Sequence, residues 1–137
     1  MLSERVGRAR KASAFAGVLT RDKEEKIRTL VVPGSCGRRY HEIVRRNGTS
    51  ISVECRLEVG RGYLDCQGNS HSVCYHAVAT AIKVAAEAGY KVSLCDDPKK
   101  AERVRRLHNG KIGQLKSHQS GKALWIVYYK EGKQNGR

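Results

Sequence analysis

The sequence is poor in aromatic residues and proline, and it has no long apolar run. Among its 137 residues there is one Phe, one Trp, one Met and two Pro. Such a chain can bury one modest core, so residues 1–137 are predicted to form a single domain. No stretch approaches the about 20 apolar residues that span a bilayer, and the N-terminal segment lacks the continuous apolar region of a secretory signal. We therefore expect an intracellular protein, cytoplasmic or nucleoid-associated, with no membrane partner.

Acidic residues are also scarce. The chain has 13 Asp and Glu residues against 27 Lys and Arg residues, which gives a formal net charge of +14 at pH 7. An excess of this size attracts polyanions. The charge therefore predicts a nucleic acid, or an acidic protein surface, as the partner.

The cysteine count argues against a disulfide framework. Five cysteines is an odd number, and disulfides are rare in proteins that are not secreted. Clustered Cys and His residues in an intracellular protein more often bind a metal ion.

Apolar periodicity and turn residues predict a mixture of helices and hairpins. Residues 75–89 have the clearest helical pattern, and Asn47-Gly48 is a strong signal for a hairpin turn. Asp97 followed by Pro98 marks the start of a further helix. That helix is predicted to cover about 98–108. The other predicted elements are a basic helix at about 3–16, strands flanking a charged turn at 21–26 and a final hairpin across 119–121.

Residues 51–59 alternate between apolar and polar side chains, which is typical of a strand with one buried face. The Gly60-Arg61 pair that follows suits a type II′ two-residue turn. A hairpin closed by that turn would put Cys55 opposite Cys66. Directly opposed residues have Cβ atoms about 5 Å apart and point to the same face. The predicted register therefore places two thiols side by side.

Cys74 and His76 lie where the chain enters the predicted helix, and residues two apart can both turn inward there. Structural zinc sites have four ligands, mainly thiolates and imidazole, in a closed tetrahedron. The predicted ligands of one structural Zn²⁺ ion are Cys55, Cys66, Cys74 and His76. The ion would clamp the hairpin onto the helix.

Three other residues leave the ligand set open. His71 is a rival ligand, because it lies in the same polar loop. Cys36 would replace Cys55 if the hairpin register differs from the predicted one. Cys95 follows a strand and is assigned to the core.

The predicted fold class is α+β. A small single domain would pack antiparallel hairpins with two to three helices around the zinc site. Its zinc core covers about 38–88 and lies between the basic N-terminal helix and a C-terminal helix-hairpin unit at about 97–131.

The order "YHEIV…GTSISVEC…LDC…CYHAVATAI" resembles the SWIM zinc finger. The pattern of that family is C-x-C, a variable gap, and C-x-H leading into an apolar helix. Cys74-Tyr75-His76 and the helix after it match the second half. The first half departs from the pattern, because Cys55 and Cys66 are separated by a hairpin instead of one residue. The resemblance covers roughly 38–88 and implies a zinc-stabilised module that binds DNA or protein.

The motifs do not indicate catalysis. Four protein ligands leave no open coordination position on a zinc ion. The nearby carboxylates of Glu54, Glu58 and Asp65 are predicted to lie on the strand face away from the cysteines. The H-x-E and C-x-x-C elements of zinc deaminases and the Walker-type phosphate loop are absent from the sequence. We therefore expect a binding protein and not an enzyme.

Basic residues occur in clusters rich in arginine, which suits bidentate contacts to phosphate. The predicted nucleic-acid contacts are Arg5, Arg8, Arg10, Lys11, Arg38, Arg39, Arg45, Arg46, Lys99, Lys100, Arg103, Arg105 and Arg106. DNA is favoured over RNA as the partner. The alternative is an adaptor that docks its basic face on an acidic patch of another protein.

Overall fold

An eight-stranded mixed sheet is the frame of the structure. The structure is a computed structural model that describes residues 2–13, 17–21 and 27–130. The strands are β1 (Gly17–Arg21), β2 (Ile27–Pro33), β3 (Arg39–Asn47), β4 (Ser50–Val59), β5 (Gly62–Asp65), β6 (Lys91–Cys95), β7 (Lys111–Ser117) and β8 (Ala123–Tyr129). Their order is β1-β2-β3-β4-β7-β8-β6, and β5 pairs with β4 outside this path.

The strand pairs are antiparallel, as predicted, except for one. β4 and β7 run parallel, with Ile51 opposite Leu115. This pairing joins the two halves of the chain, and the sequence analysis did not predict it. The hairpin expected at Asn47-Gly48 is present, but Asn47 pairs with Ser50. The two loop residues are therefore Gly48, with φ 63°, and Thr49.

Four α-helices occur in the described ranges: α1 (Leu2–Ser13), α2 (Gln67–His71), α3 (Tyr75–Glu87) and α4 (Pro98–His108). α3 and α4 confirm two predicted helices. The Asp97 carboxylate caps α4 by accepting from the Lys99 N–H at 2.8 Å. α2 was predicted as a loop, because its five mostly polar residues have no apolar periodicity. No helix in these ranges is long and apolar enough to cross a membrane.

Two predicted segments fall partly outside the described residues. They are the end of the N-terminal helix, at 14–16, and most of the charged turn, at 22–26. The described part of that helix, α1, packs mainly on α3. It buries Ala9 completely.

α3 and α4 lie on opposite faces of the sheet. On β8, Leu124 and Ile126 belong to the core that packs on α3. The alternate residues, Trp125 and Val127, belong to a second cluster with Ala101 of α4. Because alternate residues of a strand point to opposite faces, the basic helices α1 and α4 are on opposite sides of the protein.

The loop between β3 and β4 packs tightly on β7. The Thr49 hydroxyl donates to the Ile112 carbonyl at 2.7 Å, and the Gln114 N–H donates to the Ser50 hydroxyl at 3.1 Å. Between these contacts, Gly113 leaves no room for a side chain, because a Cβ there would overlap the Thr49 carbonyl. A glycine is therefore needed at this point of the parallel pairing.

Gly113→Ala is expected to lower the free energy of unfolding by about 2 kcal/mol or more, since relieving the overlap must shift backbone. Urea denaturation measures this loss. Gly7→Ala is the matched control: a Cβ at this helical glycine meets nothing within 4 Å. It should raise stability by about 0.5–1 kcal/mol through helix propensity. Equal stabilities of the Gly113→Ala variant and the parent protein would contradict the packing described.

Candidate metal centre

The structure brings Cys55, Cys66, Cys74 and His76 together. One ligand atom from each of the four lies within 4.8 Å of the others, and all four residues are buried. The two alternatives, Cys36 and His71, are exposed and lie outside this group. Cys95 is buried in the second cluster beside α4, in agreement with the core assignment.

The spacing of the ligand atoms fits a tetrahedral ion. His76 Nδ1 lies 3.8 Å from Cys55 Sγ and 3.7 Å from Cys66 Sγ. Bonds of about 2.3 Å to sulfur and 2.0 Å to nitrogen in a tetrahedron separate such atoms by about 3.5 Å. Three thiols and one imidazole are a donor set that could hold zinc.

The predicted hairpin register supplies two of the four ligands. Val59 pairs with Gly62, so Gly60 and Arg61 form the two-residue turn. Gly60 has φ 56° while Arg61 does not have a positive φ, in agreement with a type II′ turn. The Cys66 N–H then donates to the Cys55 carbonyl at 3.1 Å.

The start of α3 supplies the other two candidate ligands, Cys74 and His76. Cys74 is the N-cap residue, and its Sγ accepts a hydrogen bond from the Ala77 N–H at 3.4 Å. The positive end of the helix dipole favours a thiolate at this position, but the hydrogen bond with Cys66 and burial raise the pKa of the Cys74 thiol above its ordinary value. His76 follows in the first turn and faces the sheet, where it is 4% exposed.

Two aromatic rings fix the His76 imidazole. The Tyr40 ring stacks on it with centroids 3.5 Å apart, and the Tyr75 ring lies at 3.9 Å. Its Nδ1 faces the thiols, while its Nε2 is buried and has no hydrogen-bond partner among the described residues. The ring is therefore oriented by packing.

Asn69 of α2 links the ligand-bearing segments and is completely buried. Its Nδ2 donates to the Val53 carbonyl at 2.9 Å and to Gln119 Oε1 at 2.6 Å. Its Oδ1 accepts from the Cys74 N–H at 3.3 Å. The sequence analysis missed Asn69, because a single Asn in a polar segment carries no distinguishing pattern.

Gln119, in the turn after β7, satisfies the backbone of Cys55. Its Oε1 accepts from the Cys55 N–H at 2.9 Å, and its Nε2 donates to the Cys55 carbonyl at 2.8 Å. On this edge of β4, residues 51–53 pair with β7 and residues 56–59 pair with β5. Cys55 lies between these two paired segments. There the Gln119 amide makes the two hydrogen bonds that a peptide group of a neighbouring strand would otherwise make.

Glu42 is a second buried group that the sequence analysis missed. It pairs with Cys55 across β3 and β4, and both its carboxylate oxygens are buried without a hydrogen-bond partner among the described residues. Burial raises the pKa of Glu42 to about 8. Of the carboxylates that the sequence analysis did consider, Glu54 is ion-paired with Arg45 and Arg56. Glu58 and Asp65, predicted to face away from the cysteines, line the same groove as Cys66 and Cys74.

The thiols differ in their ease of ionisation. Burial raises the pKa of the Cys55 thiol. Hydrogen bonds from the Cys55 and Cys74 thiols lower the pKa of Cys66. A metal ion requires all three thiols as thiolates, so binding must release protons and weakens in acid.

A groove of about 830 Å³ opens beside the cluster, and we call it the metal-side groove. Arg5 and Arg8 of α1 and Arg38, before β3, line it together with Cys66, Cys74 and His76. Three of the predicted nucleic-acid contacts therefore come together next to the metal centre.

The other predicted contacts are dispersed. Arg39 is paired with Glu58, Arg45 with Glu54, and both Arg105 and Arg106 with Glu102. The Arg10 guanidinium donates to the Val92 carbonyl at 3.4 Å, and Arg46 lines a different cavity. Lys99, Lys100 and Arg103 are exposed on α4, across the sheet. The Lys11 side chain lies outside the described residues. The described members of this set do not form one surface.

Cys74→Ser and His76→Ala are expected to lose the bound metal and about 3 kcal/mol or more of unfolding free energy, because structural metal binding contributes directly to folding. Elemental analysis and thermal denaturation measure the two effects. Cys95→Ser removes a buried thiol outside the cluster and should keep the full metal content. Full metal content in the Cys74 and His76 variants would overturn the ligand assignment.

Asn69→Ala should weaken metal affinity by about 10-fold to 100-fold, as expected when a group that orients a ligand is removed. It should also cost about 2 kcal/mol of stability, because buried hydrogen-bonding groups lose their partner. Competition with a chromophoric chelator gives the affinity. Gln67→Ala, at an exposed position of the same helix, should leave both quantities unchanged. An Asn69→Ala protein with parental affinity would show that the network does not orient Cys74.

Comparison with protein-family models, with curated proteins and with solved structures finds no match to this chain. The candidate metal centre is therefore described by its own geometry: four buried donor atoms within 4.8 Å of one another, on a hairpin and a helix start that the Asn69–Gln119 network links.

Proposed function

We propose that this protein is a non-catalytic, zinc-stabilised nucleic-acid-binding module, and that the metal-side groove contacts phosphate. The observation that carries the proposal is the convergence of Arg5, Arg8 and Arg38 beside the Cys/His cluster. Arginine binds phosphate in bidentate fashion, and the +14 charge of the chain favours a polyanion.

Zinc is the ion that best suits the donor set. Thiolates and imidazole at tetrahedral spacing are typical of structural zinc, and harder ions prefer oxygen ligands. With all four positions taken by protein atoms, the ion would have no position free for substrate. We therefore infer a structural and not a catalytic role for it.

The SWIM resemblance supports the same proposal. Cys74 and His76 occupy the ends of a C-x-H at the start of α3, as in that family. The hairpin register brings Cys66 next to Cys55, so the missing C-x-C spacing does not prevent a four-ligand site. The preference for DNA over RNA rests on the resemblance.

The groove can seat a chain of phosphates. Arg5 and Arg8 are three residues apart and therefore share one face of α1, with Arg38 lining the same groove. Two carboxylates, Glu58 and Asp65, also line the groove. Arg39 neutralises Glu58 at 3.5 Å, which leaves an excess of positive charge.

A second candidate function is docking on an acidic partner protein. The β4–β5 hairpin exposes Val59 by 47%, Tyr63 by 51% and Leu64 by 60%. Val59 and Leu64 also line the metal-side groove. An acidic peptide with an apolar side chain would match such a surface.

Charge reversal in the groove tests the two functions. We expect Arg5→Glu/Arg8→Glu/Arg38→Glu to abolish most binding to labelled DNA or RNA in fluorescence anisotropy. The log–log salt slope should fall by about 2–3 units, because each phosphate contact contributes about 0.7–0.9. The matched control is Lys99→Glu/Lys100→Glu/Arg103→Glu on α4. This variant should lose much less nucleic-acid affinity.

The outcomes separate the proposals. A larger loss in the α4 variant would place the nucleic-acid surface on the opposite face of the sheet. No binding near micromolar concentration at low salt would reject nucleic-acid binding. Docking on a protein would then be tested with Leu64→Asp, which should abolish capture of an acidic partner.

A further inference from the structure

A second cavity lies at the far end of α3 from the metal cluster. It has a volume of about 520 Å³, which is within the range of small-molecule sites, roughly 300–1,000 Å³. None of the four metal-binding residues lines it. We call it the Tyr90 cavity, after the residue that precedes β6.

Apolar side chains form much of its wall. Val44, Ile51 and Val84 contribute aliphatic surface. The Tyr90 and Tyr128 rings are packed edge to face, with centroids 6.3 Å apart. Burial raises the pKa of Tyr128 to about 12, so its phenol is neutral at physiological pH. This wall can accept a flat apolar group without a charge.

The cavity also holds an excess of positive charge. Arg28, Arg46 and Lys111 line it, and Glu87 is the only carboxylate among the described lining residues. Glu87 is ion-paired with Arg28. Arg46 and Lys111 therefore have no carboxylate to match them within the described part of the wall.

Arg28, which lines the cavity, has a nitrogen without a hydrogen-bond acceptor among the described residues. The residue is 6% exposed, and its Nε is buried without a hydrogen-bond partner among the described residues. A buried donor left unpaired costs free energy.

Tyr90 also keeps cations close to the cavity. Lys111 Nζ lies 5.9 Å from the ring centroid, and Lys130 Nζ lies 5.2 Å from it. Cation–π attraction holds both ammonium groups near the ring. The positive charge is thus positioned before any ligand arrives, which lowers the entropic cost of binding an anion.

We propose that the Tyr90 cavity binds a small organic anion with a flat apolar body. Arg46 and Lys111 bind its phosphate or carboxylate group, and the body packs on Val44, Ile51 and Val84. Nucleoside monophosphates and aromatic carboxylates share this chemistry. The proposal is independent of the metal-side groove, because the two cavities have no lining residue in common.

Two-dimensional NMR titration of the metal-loaded, isotope-labelled protein tests the proposal. The probes are adenosine monophosphate, benzoate, adenosine and inorganic phosphate. We expect one of the first two to shift the Gly48 and Lys111 amides, with affinity at least roughly tenfold above that of adenosine or phosphate alone. Whichever of these two probes binds more tightly shows whether the anion is a nucleotide or an aromatic carboxylate. Equal affinity for inorganic phosphate, or shifts confined to the metal-side groove, would overturn the proposal.

Variants provide an independent check. Arg46→Gln changes an exposed residue. It should lower the affinity for the tightest-binding probe by roughly tenfold while the melting temperature stays unchanged. Tyr90→Leu should also lower the affinity for this probe, because Lys111 and Lys130 lose the ring that holds their ammonium groups. Arg103→Gln, on the opposite face, is the matched control and should bind as the parent does. Parental affinity in both cavity variants, or an equal loss in the control, would reject the site.

Discussion

The structure depends on the burial of four side chains that could hold a metal ion, those of Cys55, Cys66, Cys74 and His76. Three thiols and an imidazole withdrawn from water are a poor core for so small a domain, because polar groups without partners are costly to bury. A metal ion bound by all four would convert them into a closed set of bonds that joins a hairpin to the start of α3. The Asn69–Gln119 network adds hydrogen bonds to the same segments, so the backbone holds the four side chains in place as well.

This arrangement connects metal binding to the proposed nucleic-acid surface. α1 packs on α3, and α3 begins at the Cys/His cluster. An ion bound there would therefore help to position the helix that carries Arg5 and Arg8 to the metal-side groove. The opposite side of the sheet carries α4 and its own basic residues. A chain with a large net charge therefore has two separate basic faces, and only one of them lies beside the metal.

The sequence predicted the parts of this fold that depend on local patterns. Alternation in 51–59 and the positive φ available to Gly60 determine the hairpin register, and with it the approach of Cys55 and Cys66. The parallel pairing of β4 with β7 was not predictable in this way, because it depends on residues far apart in the chain. For the same reason the contacts of Asn69 and Gln119 could not be found. Glu42 was missed because an isolated acidic residue in a strand is usually exposed.

The contact between Gln119 and Cys55 has a consequence for how the protein is made. The two residues are 64 positions apart. During synthesis the three cysteines leave the ribosome well before Gln119 does, so the Cys55 N–H lacks its Gln119 acceptor until the C-terminal turn arrives. Contacts of such high sequence separation form late in folding. The hydrogen bonds of Gln119 around the Cys/His cluster are accordingly made late, after all four candidate ligands have been synthesised.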